Sequence, residues 1–432
     1  MNGASVDYAK LKEEKENEKK LFIPINTFSS NIEFESSDIN EINIDNKLNK
    51  NTIHLLTYNI FCRPPPINNN KDDYKDSRLN DFVELLPKFD IICFQELFTT
   101  FNDRKHKMIR EGAKVGLKYY LSSKVPSFFS ESLSDGGLLI LSRYEIVEHD
   151  SYNYYINLFG DSFSKKGILY AKIKINNKYL FLFNTHLQSS YFDDPQIKIN
   201  NSIQVRTSQT EELINFVYNK ILAAPRDEIN NGCVLIAGDF NIDAHDNKFA
   251  RDKYIIPKYN ISEYIIFKQK INKLGHAIDL MEKKYNGHEY TFGNNEKEEY
   301  DQVLTSKADI NLKQTLDYIW EIIPDFNLDI YKQGINLLDK RGRNLMIELF
   351  PTSCSQNVIN FNKNYSYDDK NYKDKKITVL YDTFQVQKFL VKNRPYQQLS
   401  DHFGVSVELY SPYNKSLNNS INEDMALPLK EG

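Results

Sequence analysis

The chain has 432 residues, 41% hydrophobic and 13% aromatic, which is enough apolar matter for one large core or two ordinary ones. Its 55 Lys and Arg against 59 Asp and Glu leave a net charge of -4. That balance argues against the broad basic face with which nucleic-acid binders meet phosphates, and makes a nucleic acid the less favoured partner.

The first 50 residues are rich in Lys, Glu and Asn, as in MNGASVDYAKLKEEKENEKK. They read as a mobile charged extension, without the apolar stretch of a signal peptide. No window reaches the roughly 20 apolar residues that cross a bilayer. The expectation is an intracellular protein, cytoplasmic or peripherally bound to a membrane. Strand-like apolar runs then follow at 54–60, 91–96, 137–142, 168–175, 179–186, 233–240, 316–320 and 403–409. Between them, RLNDFVELLPKF (78–89) and QVRTSQTEELINFVYNKIL (204–222) repeat apolar residues at three- and four-residue steps, the period of a helix. Strand and helix alternate early, which suits a layered α/β fold. Stretches near 244–315 and 340–395 read as insertions. The second contains NVINFNKNYSYDDKNYKDKK, too polar to bury a core. A catalytic domain over 51–412 and a tail over 413–432 complete the division. Cys62, Cys93, Cys233 and Cys354 show no CxxC pair and read as reduced.

Polar groups suited to hold a metal or move a proton stand at the ends of these runs. They are Asn59 in LLTYNIF, Glu96 in DIICFQELF, His186 in FNTHLQ, Asp239 and Asn241 in GDFN, Asp317 in TLDYIW, and Asp401 with His402 in LSDHFGV. Asp239 and Asn241 lie two apart, so on an extended backbone both leave the same face. A carboxylate and an amide oxygen suit a hard cation such as magnesium. GDFN alone could equally be a turn, with Gly238 supplying the bend and an Asx hydrogen bond at Asn241. Hydrolysis of an anionic phosphodiester needs its charge offset, a nucleophile deprotonated in place and a stabilised leaving oxygen. Glu96 is the candidate metal ligand, with Asn59 beside it and Asp239 or Asn241 completing the set. His402 is the candidate general base, since imidazole titrates near neutral pH. His186 would bind or protonate a phosphoryl oxygen. The remaining histidines form no zinc spacing.

The ordered set resembles the endonuclease/exonuclease/phosphatase superfamily from about Ile53 to Leu409. Within it, SDGGLLILSRYEI (134–146), FSKKGILYAKI (163–173), FNTHLQSSY (183–191) and LDYIW (316–320) are similar to neutral sphingomyelinases. The KG strand followed by the THLQ strand is the more telling pair. The resemblance implies a four-layered α/β sandwich of two sheets flanked by helices. It implies a magnesium-dependent phospholipase C, with manganese or cobalt as alternative ions, cleaving sphingomyelin to ceramide and phosphocholine. It further implies that Asp239 orients the base or the water, that Asp401 supports His402 or a metal, and that Asp135 bonds His186. Asn241 would donate its amide to the phosphate, and Asp317 would complete the network.

A lipid substrate calls for apolar or basic groups at the catalytic mouth. Three stretches qualify: one with Phe128 and Phe129, one with Tyr152, Tyr154, Tyr155 and Phe159, and one with Phe384 and Phe389. Lys166 in SKKGILY reads first as a solvated lysine, with contact to the phosphate or the membrane as the alternative. A nuclease or phosphoinositide phosphatase of the same superfamily, and a catalytically silent membrane-binding module, remain as alternatives. No protein partner is inferable.

Overall fold

The computed structural model describes residues 51–124, 134–158, 164–190, 196–245, 255–256, 261–294, 304–306, 309, 312–326 and 376–412. The expected N-terminal extension, the C-terminal tail, Phe128, Phe129, Phe159 and nearly all of the 357–376 run lie outside them.

In chain order the strands are β1 (Thr52–Cys62), β2 (Ile91–Leu97), β3 (Tyr119–Ser122), β4 (Leu139–Ser142), β5 (Ile146–Asn153), β6 (Gly167–Ile175), β7 (Lys178–His186) and β8 (Cys233–Asp239). The two-residue strands β9 (Ile255–Ile256) and β10 (Ile261–Ser262) follow, then β11 (Gly275–Asp279), β12 (Asp317–Pro324), β13 (Thr378–Gln387) and β14 (Gly404–Tyr410). The helices are α1 (Lys75–Val83), α2 (Arg104–Lys114), α3 (Gln196–Ala223), α4 (Arg226–Asn231), α5 (Glu263–Ile271) and α6 (Leu280–Tyr285).

Two six-stranded sheets form, in the orders β13-β14-β1-β2-β4-β3 and β11-β12-β8-β7-β6-β5. At the centre of each, one pair runs parallel, β1 with β2 and β7 with β8. The strands alternate two faces, and here both faces are covered. One set of side chains fills the space between the sheets: Ile53, Leu55, Ile91 and Cys93 from the first sheet meet Leu169, Leu180, Leu182 and Leu235 from the second. The alternate residues of the second sheet, Phe181, Phe183, Ile236 and Trp320, pack against Leu213, Val217 and Ile221 of α3 and Phe267 and Ile271 of α5. Outside the first sheet, Phe82 of α1 stacks on Tyr58 with centroids 5.2 Å apart and meets Phe94 edge-on at 5.5 Å. The result is the expected four-layered sandwich.

Two stretches that read as insertions also contribute to the sheets. Thr378–Gln387 is the edge strand of the first sheet, pairing with β14, and Gly275–Asp279 is the edge strand of the second. Both lack the long apolar run of a central strand, because an edge strand has a partner on one side only.

Candidate active site

Sheet register builds the core of the site. Asp239 ends β8 and lies opposite His186 on β7 and Asp317 on β12. Three adjacent strand ends therefore set His186, Asp239 and Asp317 in one row. Gly238 allows this row to close up: at φ 142°, a Cβ built there would stand 2.0 Å from the Thr185 carbonyl oxygen.

The first sheet supplies the facing residues, Asn59 near the end of β1 and His402 just before β14. Asn59 Nδ2 donates to Asp239 Oδ2 at 2.9 Å and lies 3.4 Å from His402 Nε2. The same Asp239 oxygen stands 3.3 Å from His186 Nε2 and 3.8 Å from His402 Nε2. On the other side of its ring, His402 Nδ1 meets Asp317 Oδ2 at 2.9 Å. All five side chains are buried.

Two Asx turns explain why these polar atoms face inward. Asn59 Oδ1 accepts from the Phe61 amide at 3.1 Å, and Asp239 Oδ1 accepts from the Asn241 amide at 2.9 Å. In each case one side-chain atom bends the backbone, at the register shift after Asn59 in β1 and at the end of β8 after Asp239, while the other is left to face the opposite sheet. Phe61 and Asn241 both adopt left-handed backbone, with φ 53° and 52°. The expectation that Asp239 and Asn241 share a face of an extended strand is thereby corrected. The strand stops at Asp239, and Asn241 Nδ2 donates to the Leu187 carbonyl at 3.1 Å.

Electrostatics divide the two imidazoles. Burial holds His186 well below its usual range, and the Lys166 ammonium and His402 push it further down, so it is neutral. Burial also works against a charged His402, but Asp317, Asp239 and Asp401 outweigh it and raise it to about 10. Burial pushes Asp239 up to about 6, with His402 opposing and Asp317 adding to the rise.

Lys166 corrects its expected solvation. Its Nζ is buried 3.0 Å from His186 Nε2 and donates to the Leu187 carbonyl at 2.7 Å and Ser189 Oγ at 2.9 Å. The expected bond from Asp135 to His186 is replaced as well. Asp135 takes the Thr99 amide at 3.1 Å, Ser123 Oγ at 2.8 Å and the Lys105 ammonium, while His186 Nδ1 has no hydrogen-bond partner. Lys105, the second residue of α2, satisfies this carboxylate, and nothing in the sequence around Asp135 signalled it.

Two groups of residues could hold a cation. Asp239, Asp317 and His402 offer ligand atoms within 4.8 Å of one another. However, Asp317, Asp239 and Asp401 raise His402 to about 10, and an imidazolium has no free nitrogen with which to coordinate a metal. Glu96 and Asp401 fit better. Glu96 Oε2 is enclosed with no hydrogen-bond partner among the described residues, an arrangement that leaves a buried acceptor uncompensated. Asp401 is raised to about 7, chiefly by burial, with His402 opposing and the nearby charge of Glu96 contributing to the rise. A buried carboxylate within reach of the charge of a second one that carries an unpartnered oxygen suits a hard cation. Asn59 is turned toward Asp239 and His402, and its contacts describe a donor to that cluster.

Sequence reasoning missed a supporting layer. Gln95 Nε2 bridges Thr57 Oγ1 at 2.9 Å and Asn184 Oδ1 at 2.7 Å, linking the two sheets beneath the site. Ser400 Oγ donates to the Asn59 carbonyl at 2.6 Å and accepts from the His402 amide at 3.2 Å. The signal was present in FQE, FNTH and LSDH, where polar residues interrupt apolar runs.

A two-sheet sandwich with paired histidines and clustered carboxylates able to hold a cation at its strand ends defines a metal-dependent phosphoester hydrolase. Residues 56–322 match the endonuclease/exonuclease/phosphatase family, and the chain belongs to it. It is 28% identical over 380 residues to a sphingomyelinase of Dictyostelium discoideum, covering 79% of this chain and 76% of that one. It is also 28% identical over 200 residues to sphingomyelinase C of Bacillus cereus, covering 44% of this chain and 57% of that enzyme's length. Sphingomyelinase C from Streptomyces griseocarneus superposes with a TM-score of 0.51 at 17% identity, over 83% of this chain and 99% of that one. This last likeness concerns the fold.

Proposed function

We propose that the chain is a magnesium-dependent phosphodiesterase of the phospholipase C type, hydrolysing sphingomyelin to ceramide and phosphocholine. The observation that carries this reading is the meeting of Asn59, His186 and His402 around one Asp239 oxygen, with Asp317 behind His402. The sphingomyelinases among its relatives point to the lipid.

Glu96 and Asp401 would hold the cation, which when bound supplies a Lewis acid for a phosphoryl oxygen and positive charge against the carboxylates. Asp317 fixes the ring of His402, so that Nε2 points at Asp239 and toward the attacking water. Three carboxylates hold the proton on His402, and its service as a base therefore depends on part of that negative charge being offset. His186 is neutral, and the Lys166 ammonium beside the Nε2 that faces Asp239 would add positive charge where a phosphoryl oxygen binds. Asp239 links the two imidazoles and orients the water between them.

Membrane contact is assigned to the rim of the site. Phe384 and Phe389 are buried, which removes them as membrane anchors, and Tyr154 lies in the core. Phe101, in the loop after β2, is 88% exposed, and Tyr155, after β5, is 64% exposed. The strand directions place both loops at the end of the sandwich that carries Glu96 and His186. Exposed aromatics there suit the lipid interface. No helix among the described residues is long and apolar enough to cross a membrane.

The test is phosphocholine release from sphingomyelin vesicles by the purified chain, with magnesium and then with EDTA, beside a nucleic acid and a phosphoinositide. Magnesium-dependent release from sphingomyelin alone is expected. Cleavage of another substrate instead would move the protein to a different branch of the family.

A further inference from the structure

We propose that Arg78 is a positioning residue that locks the turn carrying Asn59 to the turn carrying Asp401 and His402. The proposal rests on the hydrolase reading of the site above. Arg78 sits on α1 and is fully buried, yet its hydrogen bonds all go to backbone carbonyls. Nη1 donates to Ile60 at 2.9 Å and to Leu399 at 2.7 Å, Nη2 to Phe61 at 2.7 Å, and Nε to Asp73 at 2.7 Å.

The placement of those carbonyls matters more than their number. Ile60 and Phe61 directly follow Asn59, and Leu399 directly precedes Ser400, Asp401 and His402. One guanidinium thus ties two turns together, its furthest bond reaching a residue 321 positions along the chain from Arg78. Ser400 closes the same link from the other side, through its bond to the Asn59 carbonyl and from the His402 amide. The contact between Asn59 Nδ2 and His402 Nε2 depends on this separation. Burying a cation without a carboxylate partner is costly. The planar fork is what recovers the cost, since only Arg can direct donors at three carbonyls on two segments at once. A simple packing role would need neither the charge nor the fork.

Arg78→Lys keeps the charge and removes the fork. In the full chain, with melting temperature and circular dichroism as checks on folding, it is expected to lower kcat at saturating magnesium at least tenfold. KM should stay within about twofold, because Arg78 does not touch substrate. The ring resonances of His402, assigned by comparison with His402→Gln, should shift. A folded Arg78→Lys protein with wild-type kcat and unmoved His402 resonances would overturn the proposal. Should that variant not fold, Ser400→Ala breaks the same link and is read identically: lowered kcat with moved resonances supports the proposal, and wild-type values for both overturn it. If the wild-type protein hydrolyses none of the substrates, the functional reading fails, and the His402 resonances alone then decide the role of Arg78.

Discussion

Asp317→Asn removes one charge from the pair that orients His402 and leaves the side chain nearly unchanged in size. The two groups meet at 2.9 Å and are both buried, so water cannot replace the lost interaction. The backbone tie of Asp317, its amide donating to Thr291 Oγ1 at 3.0 Å, does not involve the carboxylate and survives. A hydrogen bond to a charged group contributes ~1.5–3 kcal/mol, and each 1.36 kcal/mol is tenfold in rate. The expected loss in kcat is therefore roughly 10- to 150-fold. KM should change little, because Asp317 stands behind the imidazole. The assay is the initial rate of phosphocholine release across a range of sphingomyelin at saturating magnesium, with thermal melts to confirm folding. A folded variant with wild-type kcat, or a loss confined to KM, would refute the view that Asp317 positions His402.

Glu96→Gln should raise the magnesium concentration for half-maximal activity at least tenfold. The metal-free melting temperature should stay level or rise, since an enclosed, unpartnered carboxylate oxygen is removed; a fall would point to a structural role. Phe101→Ser combined with Tyr155→Ser should weaken sedimentation with sphingomyelin vesicles while sparing turnover of a soluble phosphodiester. Equal losses on both would count against a membrane rim. Phe384→Ala, by contrast, should destabilise the fold by ~3–5 kcal/mol, as truncation of a buried Phe does; urea unfolding would show it, and an unchanged midpoint would put this residue back at the surface.

The sandwich was legible because its central strands are apolar on both faces and end in polar residues. The candidate site was legible for the same reason: Asn59, Glu96, His186, Asp239, Asp317, Asp401 and His402 each break such a run at its end. Hydrogen-bond direction was not legible. Lys166, in SKKG, looks solvated until a carbonyl, a hydroxyl and an imidazole nitrogen from the β7 end are brought around it. Asp135 has the right residue type to orient His186, but Lys105 approaches it from a helix 30 residues earlier. Phe384 and Phe389 sit in a stretch with few uninterrupted apolar residues. Their burial follows from edge pairing of β13 and from the aromatic cluster of Tyr58, Phe82 and Phe389, neither of which is local.

Backbone conformation at the strand ends ties the site to its supports. Phe61 and Glu96 are the last but one residues of β1 and β2, Asn241 lies two residues past β8, and all three have φ between 52° and 54°. Residues other than glycine reach this region at a cost on the order of 1–3 kcal/mol each, with Asn the most tolerant. Such conformations persist only where the surroundings determine them. Here the determinants are visible: the side chain of Asn59 and the guanidinium of Arg78 hold Phe61, and the carboxylate of Asp239 together with the Leu187 carbonyl holds Asn241. Glu96 has no comparable restraint on its side chain, whose Oε2 is unpartnered. Of the three left-handed residues, the one without a side-chain anchor is the candidate cation ligand, and a bound cation would provide the missing restraint.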